Sequence, residues 1–248
     1  MTTSHLLAAA AILALAGFAH GLFGIGFAMI ATPLLALFLD YRLAVALAAF
    51  PLLAMAVGWL VVHVRSRSAL AGQRWLLPGI AIGAAAGTLL QVSLPERTSI
   101  ALLALLLSAS LAVPWLATRG AALRPAAAQR GAPVFGVLAG MTESALNVGA
   151  PFMLLYGSLA RLGRFEQLIA LNVCFALGKG IQLALTAWSW PAAASGVALL
   201  VCTTASLAAY FAGHRLAGRF DEARFRRLLR NFIVCMVAGL LVRVWLLA

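Results

Sequence analysis

Gly17-Phe-Ala-His-Gly21-Leu-Phe-Gly24-Ile-Gly26-Phe-Ala-Met-Ile-Ala-Thr-Pro33 decides how the chain folds. It lies inside an uncharged apolar run from about His5 to Leu39, interrupted by four glycines and a proline. An ordinary helix resists this, since an interior Gly costs about 1 kcal/mol against Ala and Pro about 3 kcal/mol. One membrane span needs only about 20 apolar residues, so the run is too long for one straight helix. The economical solution is two helical pieces joined by a glycine-rich break at membrane depth. Unwound backbone is tolerated there only when buried in protein or lining a polar cavity.

A second copy follows near mid-chain. Gly136-Val-Leu-Ala-Gly140-Met-Thr-Glu-Ser-Ala-Leu-Asn-Val-Gly149-Ala-Pro151 repeats the small-xxx-small step and the later proline. Paired interruptions at matching positions of two halves point to a transporter site. The competing reading is two unrelated close-packing faces of the GxxxG kind. On the first reading Gly17, Gly21, Pro33, Gly136, Gly140 and Pro151 are the helix-breaking residues.

Composition bounds the class. The 248 residues are 64% hydrophobic and 10% charged, with a mean hydropathy of +1.04. A soluble domain would be about half apolar and a quarter charged. This is a polytopic membrane protein, read as a single integral domain. The net charge of +12 is not a nucleic-acid signal here. Arginines in a membrane chain are first orientation signals, and basic loops suit an anionic inner leaflet. Cys174, Cys202 and Cys235 fall in apolar runs without metal or redox spacing and read as small core residues. No metal or cofactor is expected. The N-terminus lacks a basic flank and reads as a retained first segment rather than a signal peptide.

Eight apolar segments follow one another. The first repeat covers about residues 5–117, a linker 118–131, and the second repeat about 132–248. If all eight cross fully, the loop arginines divide six against ten. If each glycine-broken segment enters and leaves on one face, fourteen lie on one side and only Arg42 and Arg97 on the other. The second arrangement obeys the positive-inside rule. Each half then holds one re-entrant segment and three spans, so the halves insert oppositely as an inverted repeat, with both termini outside. The third span carries Gly79, Gly83 and Gly87 on one close-packing face. Phe220, Phe225, Leu228 and Leu229 make the last basic loop weakly amphipathic, suited to the headgroups. Trp75, Trp188 and Trp190 read as belt residues, and His63 and His214 as interface markers.

In order, these features resemble the TauE/SafE sulfite-exporter-like permeases. The resemblance rests on GxxxGLxGxG…P and on a span ending at His63 before a basic loop with Gly72-Gln-Arg74-Trp75. It continues through the glycine-spaced third span, the second GxxxG…P, a lysine late in the sixth span and the closing GxxL…RF…FRRLLR. It implies a permease for small sulfur-containing or organic anions, such as sulfite and sulfonates, in the bacterial inner membrane. The chain departs from the family where Gly26 is followed by Phe27-Ala28 instead of a glycine triplet. It departs again where the second break reads Thr142-Glu-Ser-Ala-Leu-Asn147 without a glycine cluster.

Candidate site residues follow from charge and polarity at membrane depth. Lys179, the only lysine, lies in mid-span, where an ammonium is costly and usually functional. It is either a counter-charge for an anionic substrate or a structural partner for Glu143 or for backbone carbonyls. Glu143 has three readings: a proton-coupling carboxylate, an ion-pair partner of Lys179, or an acid at a half-helix N-terminus. Gly24 and Gly26 let backbone approach an anion, and half-helix N-termini offer unpaired N–H groups. Thr142, Ser144 and Asn147 offer side-chain groups. His20 is a donor or titrating group, or else a packing histidine. Asn172 and Gln182 read as simple interhelical hydrogen bonds. Arginine clamps are expected to be absent from the spans.

The leading function is a secondary transporter of small anions working by alternating access between the halves. Its partners are a small anion and membrane lipid, and a homo-oligomer is compatible with the sequence. The alternatives are a scaffold or assembly subunit, an anion channel, and an intramembrane enzyme. The spans hold no GxSxG, HExxH, aspartate pair or P-loop to support catalysis or ATP-driven pumping.

Overall fold

The structure is a computed structural model describing residues 1–63, 74–119, 125–186 and 190–247. The loop with Arg65 and Arg67, the linker residue Arg124, and Trp188 lie outside the described residues. Among the described residues all regular structure is helical. The helices are α1 (Thr3–Phe23), α2 (Phe27–Leu35), α3 (Tyr41–His63), α4 (Leu76–Ser93), α5 (Glu96–Ser110) and α6 (Val113–Arg119). They continue as α7 (Pro125–Leu146), α8 (Ala150–Leu159), α9 (Arg164–Thr186), α10 (Gly196–Arg215) and α11 (Glu222–Leu246). Among the described residues, seven helical stretches are long and apolar enough to cross a membrane. With a 30 Å hydrocarbon core as the requirement, this is a multi-pass membrane protein.

The chain divides into two compact units that interleave the sequence halves. One comprises residues 1–55, 94–108 and 188–248, the other 56–93 and 109–187. In the first unit α1 runs parallel to its main partner α10, Gly17 facing Ser206 and Gly21 facing Tyr210, and is held to it by glycine contacts. A Cβ on Gly17 would collide with the backbone carbonyl of Ser206, one on Gly21 with that of Tyr210, and one on Gly213 with that of Phe18. In the second unit α4 and α7 use the same device over a longer seam. Cβ atoms on Gly79, Gly83 and Gly87 would strike the carbonyls of Pro133, Val137 and Met141, and those on Gly136 and Gly140 the carbonyls of Leu76 and Ile80. Backbone-to-backbone approach of this kind maximises dispersion contact where lipid supplies no hydrophobic drive.

These contacts relocate the expected helix breakers. Gly17 and Gly21 lie inside the uninterrupted α1, and Gly136 and Gly140 inside α7. Their missing side chains serve packing, which offsets the lower helix propensity of glycine. Pro33 lies within α2, while Pro151 stands in the first turn of α8, where its missing N–H costs nothing. The chain leaves the helix instead at Gly24–Gly26 and at Asn147–Gly149. Helix α7 also starts at Pro125, so the later part of the expected linker is helical.

At the first interruption Gly24 adopts φ 76° and Gly26 φ 105°, a region that a Cβ penalises. The Gly24 N–H donates to His20 O at 2.7 Å, closing α1. In the same unit an arginine clamp does exist within a span, contrary to expectation. Arg243 of α11 donates one guanidinium N–H to Ala36 O at the end of α2, and its Nη2 lies 2.6 Å from Glu96 Oε1. Glu96 also accepts from the Tyr41 N–H at 3.2 Å, so one ion pair satisfies orphan groups at two helix ends. Position near the chain end hid this clamp from a count of loop arginines. Cys174 and Cys202 are buried, but Cys235 is exposed, because α11 is the least buried of the seven long apolar helices.

Candidate functional site

Within the second unit, the polar residues of α7 and α9 gather at the end of α7. The last turn of α7 carries Glu143 and Ser144, and Asn147 ends it at φ 57°. Asn is among the few residues with a Cβ that enter this left-handed region routinely. The Asn147 N–H donates to Glu143 O at 3.0 Å and the Val148 N–H to Thr142 O at 3.2 Å. The chain then re-enters helix at Ala150, with Gly149 as N-cap of α8.

Lys179 of α9 points its ammonium at this interruption. Its Nζ donates to Glu143 O at 2.7 Å, to Gln182 Oε1 at 2.9 Å and to Asn147 Oδ1. Three protons thus meet three neutral oxygens, which exhausts the donors of an ammonium. The Glu143 carboxylate stands beside it, with Oε1 3.1 Å from Nζ. That contact is Coulombic, since Oε1 receives no hydrogen bond while the ammonium protons are committed elsewhere. Glu143 Oε2 accepts from the Gly149 N–H at 2.9 Å. The carboxylate therefore sits at the N-terminus of α8, where backbone N–H groups and the helix dipole favour an anion.

Further side chains close the shell. Gln182 Nε2 donates to Ser144 O at 2.7 Å and to Gln91 Oε1 of α4 at 2.8 Å. Ser144 Oγ donates to Gly178 O at 3.1 Å. Glu143, Ser144, Asn147 and Lys179 are all 0% exposed, so the pair is removed from water and its neutrality must be internal. Space for the carboxylate comes from two glycines. A Cβ on Gly149 would lie 2.8 Å from Glu143 Cβ, and one on Gly178 3.0 Å from Glu143 Cγ.

Glu143, Ser144, Asn147 and Lys179, each singled out in the sequence, are thus brought together. Thr142 is adjacent in sequence, but its hydroxyl turns back to Leu138 O of its own helix at 2.8 Å. Gly24 and Gly26 belong to the other compact unit, as does His20. The His20 ring is buried, edge-on to Phe27 at 6.3 Å and tilted against Tyr210 at 5.8 Å. Gln91, Gly149 and Gly178 were not recognised as site residues. A polar glutamine in an otherwise apolar glycine-spaced span was the available signal for Gln91. Gln182, read as a simple interhelical bond, makes that bond and also holds the lysine. Asn172 donates to Leu168 O at 2.8 Å within α9 and is not among the Lys179 ligands. Among the described residues no three His, Cys, Asp or Glu side chains come together as a metal site.

The arrangement holds one anion, the Glu143 carboxylate, between an ammonium and a helix N-terminus. A family model described as sulfite exporter TauE/SafE matches residues 9–240, nearly the whole chain. The chain belongs to that family. No curated protein and no solved structure matches it.

Proposed function

We propose, with membership of this transporter family as the premise, that the chain carries small anions such as sulfite or a sulfonate across the bacterial inner membrane. The observation that carries the reading is the Glu143 carboxylate held between the Lys179 ammonium and the Gly149 N–H. In this reading the carboxylate is a resident anion that occupies the place a substrate oxyanion takes. Binding is then an exchange. A proton on Glu143 cancels its charge and weakens its hold on both donors. The ammonium is left as an uncompensated charge at membrane depth, which is expensive. An entering monoanion restores neutrality. Proton and anion therefore enter together, and the cluster has the same net charge in the empty and loaded states. The anion meets a shell of movable amide oxygens on Asn147 and Gln182, so release needs no rupture of a guanidinium clamp.

Gly24 and Gly26 are assigned a backbone role toward the anion on the other interruption, and His20 a supporting position for proton movement. Alternating access of the two halves belongs to the same proposal, as does their inverted relation. The helix pairing favours that relation: the segment before each interruption packs on the third span of the opposite sequence half, α1 on α10 and α7 on α4. Such an exchange is what two inverted repeats would produce. Nothing in the motif set favours catalysis as a competing role.

The test is sulfite flux into proteoliposomes with an imposed pH gradient. Lys179→Met is expected to abolish flux. Glu143→Gln is expected to lose gradient dependence while retaining sulfite–sulfite exchange. Unchanged flux in Lys179→Met would remove the cluster from the transport site.

A further inference from the structure

A cavity with two arginines in its lining lies in the first compact unit. The last turns of α1 and the entry to α11 border this cavity of about 550 Å³, whose lining includes Arg219, Phe220, Asp221, Arg224, Phe225 and Leu228. Phe23 and Phe225 stack at its wall, with centroids 3.8 Å apart and planes 11° from parallel. Two walls are therefore hydrocarbon and two corners carry guanidinium groups. Among the described residues neither Arg219 nor Arg224 has a carboxylate partner. The Asp221 side chain is engaged in capping α11, accepting from the Ala223 N–H at 2.8 Å.

The surroundings reinforce this polarity. Arg215, Arg219, Arg224, Arg226, Arg227 and Arg230 accompany only Asp221 and Glu222 between residues 215 and 230. Phe220 and Leu228 are 51% and 59% exposed. Large apolar side chains beside Arg219 and Arg224 fit neither a water-facing loop nor a packed core. They fit the boundary where headgroups give way to acyl chains, and long basic side chains there reach toward the phosphates. Helix α11, apolar over 24 residues yet little buried, continues from this point.

We propose that this cavity is a binding site for an anionic phospholipid, with the phosphate between Arg219 and Arg224 and an acyl chain along Phe220 and Leu228. The two guanidinium groups supply charge and donors, and the apolar walls supply the selectivity for a lipid over a free phosphate. The site adjoins the first interruption, since a Cβ on Gly26 would lie 3.5 Å from Phe225 Cζ. An occupied site would therefore bear on the side chain that covers that backbone break. The proposal does not depend on the identity of the transported anion.

The experiment is retention of phosphatidylglycerol against phosphatidylcholine by the detergent-purified full chain, read by native mass spectrometry. The exposed double variant Arg219→Gln/Arg224→Gln is compared with the equally basic control Arg161→Gln/Arg164→Gln. Each basic residue near a membrane surface contributes about fivefold to anionic-lipid affinity, so the double variant is expected to bind phosphatidylglycerol roughly thirtyfold more weakly. The control and Phe220→Ser separate charge from shape: the control is expected to bind like wild type, and Phe220→Ser to lose lipid without loss of charge. Equal loss in both arginine pairs would overturn the site in favour of diffuse attraction. Competition by inorganic phosphate as effective as by the lipid would overturn the lipid assignment.

Discussion

The two interruptions, Gly24–Gly26 and Asn147–Gly149, divide one task in different ways. Each follows a helix glued to a neighbour by glycine contacts, and each is followed by a short helix. The first bends through two glycines at positive φ and contains no charged residue. The second bends through one asparagine, whose side chain also accepts from Lys179, and carries Glu143 one turn earlier. Conformational permission is thus separate from chemistry at the first break and combined with it at the second. Glycine provides a bend but no ligand, whereas Asn147 provides both. Of the two interruptions only the second carries a buried ion pair among the described residues.

The comparison breaks most sharply at the charges. Lys179→Met leaves Glu143 buried without its counter-charge, and removing one member of a buried pair costs about 3–5 kcal/mol. A large fall in Tm is expected, and the double variant Lys179→Met/Glu143→Gln should recover most of it without recovering transport. No uncharged position at the first interruption should match this effect. A double variant as unstable as the single one would mean that the pair is not the origin of the loss.

Helix packing comes next. Gly83→Val and Gly21→Val both place side-chain atoms on a facing backbone, and overpacking of this kind costs about 1–3 kcal/mol. Because the α4–α7 seam reaches Met141, two residues before Glu143, Gly83→Val should also lower sulfite affinity, while Gly21→Val should lower Tm alone. Thermal melts with and without sulfite check this, and equal sulfite shifts in the two variants would erase the distinction. The smallest effect is expected at Gly26→Ala, where a left-handed conformation costs an L-residue about 1–2 kcal/mol. A denaturation series in mild detergent would read it. No measurable cost would mean that the first bend relaxes freely.

Much of this was legible before the fold was known. Membrane class, the close-packing glycine face of the third span and the polar residues at membrane depth leave direct marks, since uncharged spans and isolated ionisable residues have few other meanings. The eight apolar segments expected appear as seven long helices and the shorter α8 among the described residues. The exact bends were not legible. Gly17/Gly21 and Gly136/Gly140 give the same local signal whether they break a helix or pack it, and only the facing backbone decides. Asn147 as the point of reversal was hidden because asparagine at positive φ is rare in sequence statistics but ordinary at a helix end. Gly149 and Gly178 were silent for another reason: their value is the room they leave for Glu143, which depends on a side chain arriving from elsewhere. Arg243 escaped because a count of loop arginines leaves it out, and its partners are a carbonyl and a carboxylate distant in sequence.

The most direct test of a resident carboxylate standing in for the substrate is the sulfite-dependent shift in Tm, compared between wild type and Glu143→Gln. A ligand stabilises the state it binds by mass action, and the shift grows with affinity. Without its own anion, the Lys179 site should take sulfite more tightly, so Glu143→Gln is predicted to show the larger shift, absent again when Lys179→Met is added. A shift equal to or smaller than that of wild type would contradict the exchange of carboxylate for substrate.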